Sequence, residues 1–260
     1  MATGSRSLGD LAFVDVPQNI RSASILCLPI GAIEQHGPHL PLNTDVLVAE
    51  AVACAIVARW GEAFDLWLLP TLSISLSHEH DWAPGTLCLS VQSFVMVMKD
   101  LAGEIARSLP TRDLLIVNGH GGNRTVLQGL VEELRTAYGL NVDVLHPFDL
   151  TKVRAGSALP DIHAGWSETS VLLAIAPHRV RRDRIKPVDA SIDPETARTI
   201  VIGDASASPW RSDDPRISDH GVIGDATGAT AEHGRAIINS IVDESRAVLE
   251  RLVARRGERS

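Results

Sequence analysis

The sequence has few cysteines, no long apolar run and no cluster of basic residues, and each absence excludes a class of protein. Its three cysteines, Cys27, Cys54 and Cys88, are far apart and lack metal-ligand spacing. This argues against a disulfide scaffold or a zinc ribbon and predicts buried free thiols in a reducing compartment. No apolar run approaches the ~18 residues that a membrane-spanning helix needs. Because the first residues also contain no hydrophobic signal region, we expect a soluble cytoplasmic protein.

The charge balance is acidic, with a formal net charge of −8 and acidic and basic residues mixed along the chain. Non-specific nucleic-acid binding needs clustered lysine and arginine. The sequence has neither a basic stripe nor an aromatic stacking platform, so we expect no nucleic-acid partner and no membrane partner. With 260 residues, of which 45% are hydrophobic, the chain can bury a substantial core.

Short apolar runs typical of buried strands alternate with longer stretches of helical spacing. We predict strands near residues 24–30, 66–69, 113–118 and 141–145. We predict helices near residues 45–60, 90–109, 123–138, 167–176 and 230–255, with Thr44, Ser90 and Ser167 as N-caps of three of them. Residues 186–228 are predicted to form a long loop region. Repeated β-loop-α units predict an α/β fold, a three-layer α/β/α sandwich with a mostly parallel central sheet. No linker interrupts the pattern, so we expect residues 1–260 to form a single domain.

The segment GAIEQHGPHLPLNTD, residues 31–45, carries the densest group of candidate metal ligands. Glu34 and His36 are two residues apart, so in an extended segment both side chains point the same way. Asp45 falls in the first turn of the next predicted helix. Each residue alone has an ordinary interpretation, as a solvated acid, a turn histidine or an acid favoured by the helix dipole. Together on one loop, after a strand and before a helix, they predict a metal site.

Two further motifs carry candidate site residues, the first at a strand-to-helix crossing and the second in a loop before a helix. His120 lies in NGHGGN, directly after a predicted strand, and His163 and Glu168 lie in HAGWSETS. A phosphate-binding loop is the competing interpretation of NGHGGN, but it lacks the lysine and the spacing of a P-loop. Glu168 could instead be a helix-start acid, and His163 a surface histidine.

A charge argument favours metal ions in such a cleft. At about 4 Å and an effective dielectric constant near 20, each pair of like charges costs roughly 4 kcal/mol. Three carboxylates, from Glu34, Asp45 and Glu168, would be balanced by two divalent cations and a bridging hydroxide. Oxygen-rich ligation with imidazoles and no thiolate suits Zn²⁺ or Mn²⁺, with Fe²⁺ as an alternative.

Five motifs together resemble the creatininase (creatinine amidohydrolase) family. They are GAIEQHGPHLPLNTD, SHEHDWAPGTLCLS, VNGHGGN, HAGWSETS and GVIGDATGATAEHGR, in the family's order from about residue 25 to 240. The resemblance implies a three-layer α/β fold, two divalent metal ions, and a homo-oligomer such as a hexamer. It implies that Glu34, Asp45 and His120 hold one ion. The other ion would be held by His36, by Asp45 as a bridge, and by a second acid.

That second acid distinguishes branches of the family. In creatininase itself it lies in the motif NGHYEN, where this chain has Gly122. Members with NGHGGN take it from the ETS motif, which here supplies Glu168. Creatininase also has an acid before its HGG motif, where this chain has Ile162 followed by HAG. A member other than creatininase is therefore expected, similar to the deformylases of pyrimidine intermediates and to the peptidase of the mycofactocin system.

The expected reaction is hydrolysis of a carbon–nitrogen bond in a small amide, such as a cyclic amide or a formamide. Two metal ions would lower the pKa of a shared water, so that hydroxide is available at neutral pH. His163 and Glu168 are the predicted catalytic residues. His163 would donate a proton to the departing nitrogen, or a hydrogen bond to the oxyanion.

Several other side chains are predicted to line the substrate pocket. These are His80, Trp82, Gly85, Thr86 and Trp166. Two alternative functions remain open at this point. The substrate could be a short peptide, which would make the chain a peptidase, or the chain could be a non-catalytic scaffold that binds a small molecule.

Overall fold

The centre of the fold is a sheet of four parallel strands. The computed structural model describes residues 6–156, 159–189, 191–203, 208–218 and 220–256. The strands are β1 (Ile25–Ile30), β2 (Leu66–Leu68), β3 (Asp113–Asn118) and β4 (Asn141–Leu145). They lie in the order β2-β1-β3-β4, and every pairing is parallel. The central strands β1 and β3 are buried along their whole length, as expected of parallel strands covered on both faces.

Helices cover both faces of this sheet. They are α1 (Val16–Asn19), α2 (Thr44–Phe64), α3 (Val91–Ser108), α4 (Arg124–Tyr138), α5 (Pro147–Leu150), α6 (Trp166–Ile175), α7 (Pro194–Ile202) and α8 (Ala231–Ala254). Cys27 and Leu115 point into a core shared with α2, α6 and α8. Their neighbours Leu26 and Leu114 point into a second core, shared with α3 and α4. The predicted three-layer α/β/α sandwich is therefore confirmed. Every helix within the described ranges is too short or too polar to span a lipid bilayer.

One of the three predicted N-caps is confirmed and two are wrong. The Ser90 hydroxyl accepts a hydrogen bond from the Ser93 backbone N–H at 3.1 Å and begins α3. Thr44 is the first residue of α2, with its hydroxyl donating to the Pro41 carbonyl at 2.7 Å. Ser167 lies inside α6, where Asp161 accepts hydrogen bonds from its backbone N–H and its hydroxyl. In both wrong cases a nearer acceptor engages the hydroxyl.

The predicted loop at residues 186–228 contains a helix, α7. Asp193 caps it by accepting a hydrogen bond from the Thr196 backbone N–H at 2.9 Å, and Pro194 occupies the first helical turn. An aspartate N-cap followed by proline is a common helix start. The composition of the stretch therefore obscured a signal that the sequence does contain.

The prediction of buried thiols is correct for one cysteine. Cys27 in β1 is fully buried, and burial raises the pKa of its thiol to about 12. Cys54, by contrast, is exposed on α2, and Cys88 is partly buried. All three are free thiols, as expected.

Candidate metal centre

Polar side chains from three segments meet at the carboxyl edge of the sheet. β1 is followed by the loop that carries Glu34 and His36, and β3 is followed by His120. Asp45 lies in the first turn of α2. Because β1 and β3 are parallel neighbours, the loops that follow them leave the sheet at the same edge. These four side chains are at most 4% exposed.

Two glycines allow the loops to approach the start of α2. A Cβ at Gly31 would overlap the backbone of Asp45 and Val46, and a Cβ at Gly119 would overlap the carbonyl of Asp45. Any other residue at either position would push the loop away from α2. The glycines therefore set how closely the carboxylate of Asp45 approaches the loop side chains.

The first group of candidate ligands is Glu34, Asp45 and His120. His120 Nδ1 lies 3.2 Å from Glu34 Oε2 and 3.1 Å from Asp45 Oδ2. The three candidate ligand atoms lie within 4.8 Å of one another, which is the arrangement of donors around one ion.

The second group surrounds His36. Its Nε2 lies 3.0 Å from Asp45 Oδ1 and 3.7 Å from Glu168 Oε2. Asp45 thus directs one carboxylate oxygen to His36 and the other to His120. His163 also has a ring nitrogen within 4.8 Å of the ligand atoms of His36 and Glu168. Asp45 is the side chain placed to bridge two neighbouring sites.

The third group is formed by two stacked imidazoles beside Glu34. The rings of His80 and His163 are 4.1 Å apart with 25° between their planes. His80 Nε2 lies 3.5 Å and His163 Nδ1 3.6 Å from the same atom, Glu34 Oε1. The structure therefore brings His80, predicted to bind substrate, and His163, predicted to be catalytic, to the same carboxylate.

The pKa values of the three carboxyl groups shift in different directions: burial raises two of them, and contact with histidines lowers the third. Burial raises the pKa of Glu34 to about 7 against the opposing charge of His120, and the charge of Asp45 raises it further. Burial likewise raises the pKa of Glu168 to about 8, against the charge of His36. Burial would also raise the pKa of Asp45, but contact with His36 and His120 holds it below its usual range. Asp45 is thus the anion of the group.

The pKa values of the four histidines also shift in different directions. Burial opposes the charged form of His36, yet Asp45 raises its pKa to about 10. Burial also opposes charge on His120, but Glu34 and Asp45 raise its pKa well above the ordinary value. Burial and the neighbouring histidines lower the pKa values of His80 and His163 well below the ordinary value, so these two rings are neutral.

The residues present fit divalent metal ions. Six buried side-chain polar atoms have no hydrogen-bond partner among the described residues, and four of them belong to this group: Glu34 Oε1, Glu34 Oε2, Asp45 Oδ2 and His120 Nε2. Buried polar atoms are normally paired, so such a concentration is typical of an ion-binding site. Carboxylate oxygens and imidazole nitrogens without a thiolate suit Zn²⁺ and Mn²⁺.

Gly122 makes room for another acid beside His120. A Cβ at this position would overlap both Glu79 Oε1 and His120 Nε2. Glu79 Oε1 lies 3.4 Å from His120 Nε2, the ring nitrogen that faces away from Asp45. The absence of a side chain at Gly122 therefore leaves the space in which Glu79 lies beside His120.

The remaining predicted pocket residues lie in different surroundings. The Trp82 indole donates to Ser212 Oγ at 2.8 Å, and the Thr86 hydroxyl accepts from the Gln35 backbone N–H at 3.2 Å. Gly85 has a φ of 91° and packs against Leu42. Trp166 lies in the core of the sandwich. Roles in substrate binding remain predictions for all four.

Two residues that the sequence analysis did not single out belong to this site. Gln35 lies between Glu34 and His36, and its amide nitrogen is within 3.2 Å of His80, His163 and Ser212. The position of Gln35 inside the ligand motif was the available signal. Ser212 carried none, because its contact with the site depends on how residues 208–218 cross it.

Comparison with known proteins defines the family. The model of the Creatininase family, described as creatinine amidohydrolase, matches residues 10–249. The chain belongs to the creatininase family, as the motifs predicted. It is therefore an enzyme that hydrolyses carbon–nitrogen bonds, as is common to the family.

The chain is similar to a peptidase in sequence and to creatininases in structure. It is 36% identical over 242 residues to the mycofactocin precursor peptide peptidase of Mycobacterium ulcerans (strain Agy99), covering 91% of this chain and 89% of that protein. The structure of a manganese form of creatininase matches with a TM-score of 0.75 and 27% identity, covering 98% of each chain. A mutant creatininase of the Zn-Zn type matches with a TM-score of 0.76 and 26% identity, covering 98% of this chain and 99% of that one.

Proposed function

We propose that this chain is a divalent-metal-dependent amide hydrolase with two ion sites. Glu34, Asp45 and His120 would hold one ion, and His36, Asp45 and Glu168 the other. The buried, unpaired carboxylate oxygens of Glu34 and Asp45, with His120 Nδ1 beside them, carry this proposal. The Mn and Zn-Zn forms of the structural relatives support Zn²⁺ or Mn²⁺ as the ions.

When bound, the ions would polarise the amide carbonyl and lower the pKa of the attacking water. His163 would move the proton. Its Nε2 lies 2.8 Å from the Gln35 carbonyl and donates to it, which leaves a lone pair on Nδ1, 3.6 Å from Glu34 Oε1. Nδ1 can therefore accept a proton from the attacking water and donate it to the departing nitrogen. Glu168 is held in place by the Ala164 backbone N–H, which donates to its Oε2 at 2.6 Å.

The proposed substrate is a small amide, such as a cyclic amide or a formamide. A short peptide is the second candidate, and the similarity to a precursor peptide peptidase along nine-tenths of the chain favours it. Both substrates present a carbonyl carbon bonded to nitrogen, so the same residues serve either reaction.

Metal content and hydrolysis test the proposal together. The purified chain should contain about two equivalents of divalent metal and hydrolyse at least one member of a panel of cyclic amides, formamides and short peptides. Chelation should abolish the hydrolysis, and Zn²⁺ or Mn²⁺ should restore it. Glu34→Gln should lose both metal and activity, whereas Glu62→Gln, on the exposed side of α2, should retain both. A chain that is active on the panel after complete metal removal would refute the proposal.

The role of His163 is tested separately. In the proposed arrangement three side chains other than His163 hold each ion, with Asp45 shared between the two sites. His163→Ala should therefore retain both ions by elemental analysis and lose most of kcat. Loss of one ion would instead make His163 a ligand, and full activity would remove it from the mechanism.

A further inference from the structure

We propose that Gln35 is a positioning residue that fixes which ring nitrogen of His80 and of His163 carries the proton, and so what each ring presents to the metal centre. His80 presents an N–H group to the centre, and His163 presents a lone pair. This inference deepens the proposed hydrolase function, but its main test uses the metal-free chain and requires no substrate.

The orientation of the Gln35 amide is set by its neighbours. Its Oε1 accepts a hydrogen bond from the Gly37 backbone N–H at 2.8 Å, so its nitrogen is the atom that faces the histidines. Nε2 also donates to the Gly221 carbonyl at 3.1 Å. Gly221 has a φ of 83°, and a Cβ at this position would overlap the amide, at 2.5 Å from Gln35 Oε1. The absence of a side chain at Gly221 leaves room for the amide, and the hydrogen bonds with Gly37 and Gly221 set its orientation.

The amide determines the proton position on His80. Gln35 Nε2 lies 2.8 Å from His80 Nδ1, and an amide nitrogen donates but does not accept. His80 Nδ1 must therefore be the unprotonated acceptor, and the proton of the neutral ring is on Nε2. That N–H faces Glu34 Oε1 at 3.5 Å.

Ser212 supports the same assignment independently. The Trp82 indole N–H has no acceptor capacity and donates to Ser212 Oγ at 2.8 Å. The Ser212 hydroxyl is thus free to donate its own hydrogen to His80 Nδ1, which is 2.7 Å away. Two donors, one amide and one hydroxyl, converge on this nitrogen.

The backbone of Gln35 sets the other ring. His163 Nε2 lies 2.8 Å from the Gln35 carbonyl oxygen and 3.0 Å from the Gln35 side-chain nitrogen. The amide has only two hydrogens, which serve His80 Nδ1 and the Gly221 carbonyl. The nearer carbonyl oxygen can only accept, so His163 Nε2 carries the proton. The lone pair on Nδ1 then faces Glu34 Oε1 at 3.6 Å. Both rings are protonated on Nε2, but they present opposite nitrogens to the same carboxylate.

The two rings therefore offer different hydrogen-bonding groups to the metal centre, a donor from His80 and an acceptor from His163. A donor from His80 is suited to the carbonyl oxygen of an amide, which becomes more negative during attack. The lone pair of His163 is suited to accept the proton of the attacking water. A substrate with a carbonyl oxygen on the His80 side and a leaving nitrogen on the His163 side would satisfy both.

Nitrogen-15 NMR of histidine-labelled, metal-free protein tests the assignment directly. In the wild type, we expect His80 and His163 both to show a protonated Nε2 and an unprotonated Nδ1. Gln35→Glu places a carboxylate oxygen against His80 Nδ1 and should move the proton of His80 to that nitrogen, leaving His163 unchanged. Ser212→Ala should leave the His80 pattern unchanged because Gln35 still donates. Ser245→Ala, at an equally buried position in α8, is the matched control.

Each result decides the question. A wild-type His80 protonated on Nδ1 overturns the proposal even if Gln35→Glu fails to fold. A folded Gln35→Glu with unchanged His80, or a Ser212→Ala with a switched His80, also overturns the role of Gln35. In the metal-loaded enzyme, Gln35→Glu should lower kcat by about 10–100-fold, the loss usual for partners that orient functional histidines, with a smaller change in KM. If even the wild type hydrolyses no amide, the proposed function fails, while the NMR result still stands.

Discussion

Asp45→Asn should abolish the stabilisation of this protein by divalent metal. Asp45 directs Oδ1 to His36 at 3.0 Å and Oδ2 to His120 at 3.1 Å, so both proposed ion sites depend on it. Asparagine keeps the shape of the side chain but removes the negative charge and replaces one oxygen with a donor. We therefore expect both sites to be lost together.

The size of the effect follows from linkage. A ligand that binds only the folded state stabilises it by about 2.7 kcal/mol when its concentration is 100 times its Kd. For a chain of this length, that free energy corresponds to a rise in Tm of roughly 5–10 °C. The wild type, with two ions bound, should show at least this rise on addition of Zn²⁺, and Asp45→Asn should show almost none.

Thermal unfolding of each variant, with and without Zn²⁺, is the assay. Each variant is compared with its own metal-free form, so any change in Tm that the substitution causes without metal does not affect the comparison. Asp100→Asn, on the exposed side of α3, should behave like the wild type. If Asp45→Asn is stabilised by Zn²⁺ as much as the wild type, Asp45 does not bridge two ions.

Three further predictions concern single side chains. Gly122→Ala should weaken Zn²⁺ binding about 10–100-fold in a metal titration, because the new Cβ would overlap Glu79 and His120. Leu115→Ala, in a fully buried position of β3, should lower the free energy of unfolding by about 2–5 kcal/mol in urea. Asp65→Asn should remove a pH-dependent part of the stability: burial would raise the pKa of Asp65, but hydrogen bonds from a serine, two arginines and a tryptophan hold it below its usual value. That stability is present above the unfolded pKa of about 3.9 and is lost as the pH falls through the lower folded pKa.

Each of these predictions has a control or a clear contrary result. Gly121→Ala has open space around its Cβ and should bind Zn²⁺ like the wild type. A loss below about 1 kcal/mol for Leu115→Ala would mean that the core around β3 can collapse onto the cavity. For Asp65→Asn, the stability difference from the wild type should be larger at pH 7 than at pH 2.5. A difference that grows as the pH falls would contradict the lowered pKa.

The sheet and the positions of the candidate ligands were predictable because they follow from local patterns. β1 and β3 are buried, largely apolar strands, and Glu34, His36 and His120 lie in the loops that follow them. Parallel strands bring such positions to one edge, so the convergence required no knowledge of long-range contacts. The helix α7 also had a local signal, at Asp193, which the polar composition around it concealed.

What could not be predicted depends on contacts distant in sequence. The hydrogen bonds of Gln35 to residues 80, 163 and 221 exist only after four segments have packed together. Ser212 likewise gains its role from the neighbouring Trp82. Trp166 was predicted to line the pocket because it lies between His163 and Glu168. Its ring belongs to the buried core, and its role in substrate binding stays a prediction.

Anomalous X-ray diffraction from metal-replete crystals, at the zinc and manganese absorption edges, tests the dinuclear centre most directly. Two peaks should flank the carboxylate of Asp45, one beside Glu34 and His120 and the other beside His36 and Glu168. A single peak, or peaks that leave Asp45 without a bound ion, would contradict the bridged pair of sites.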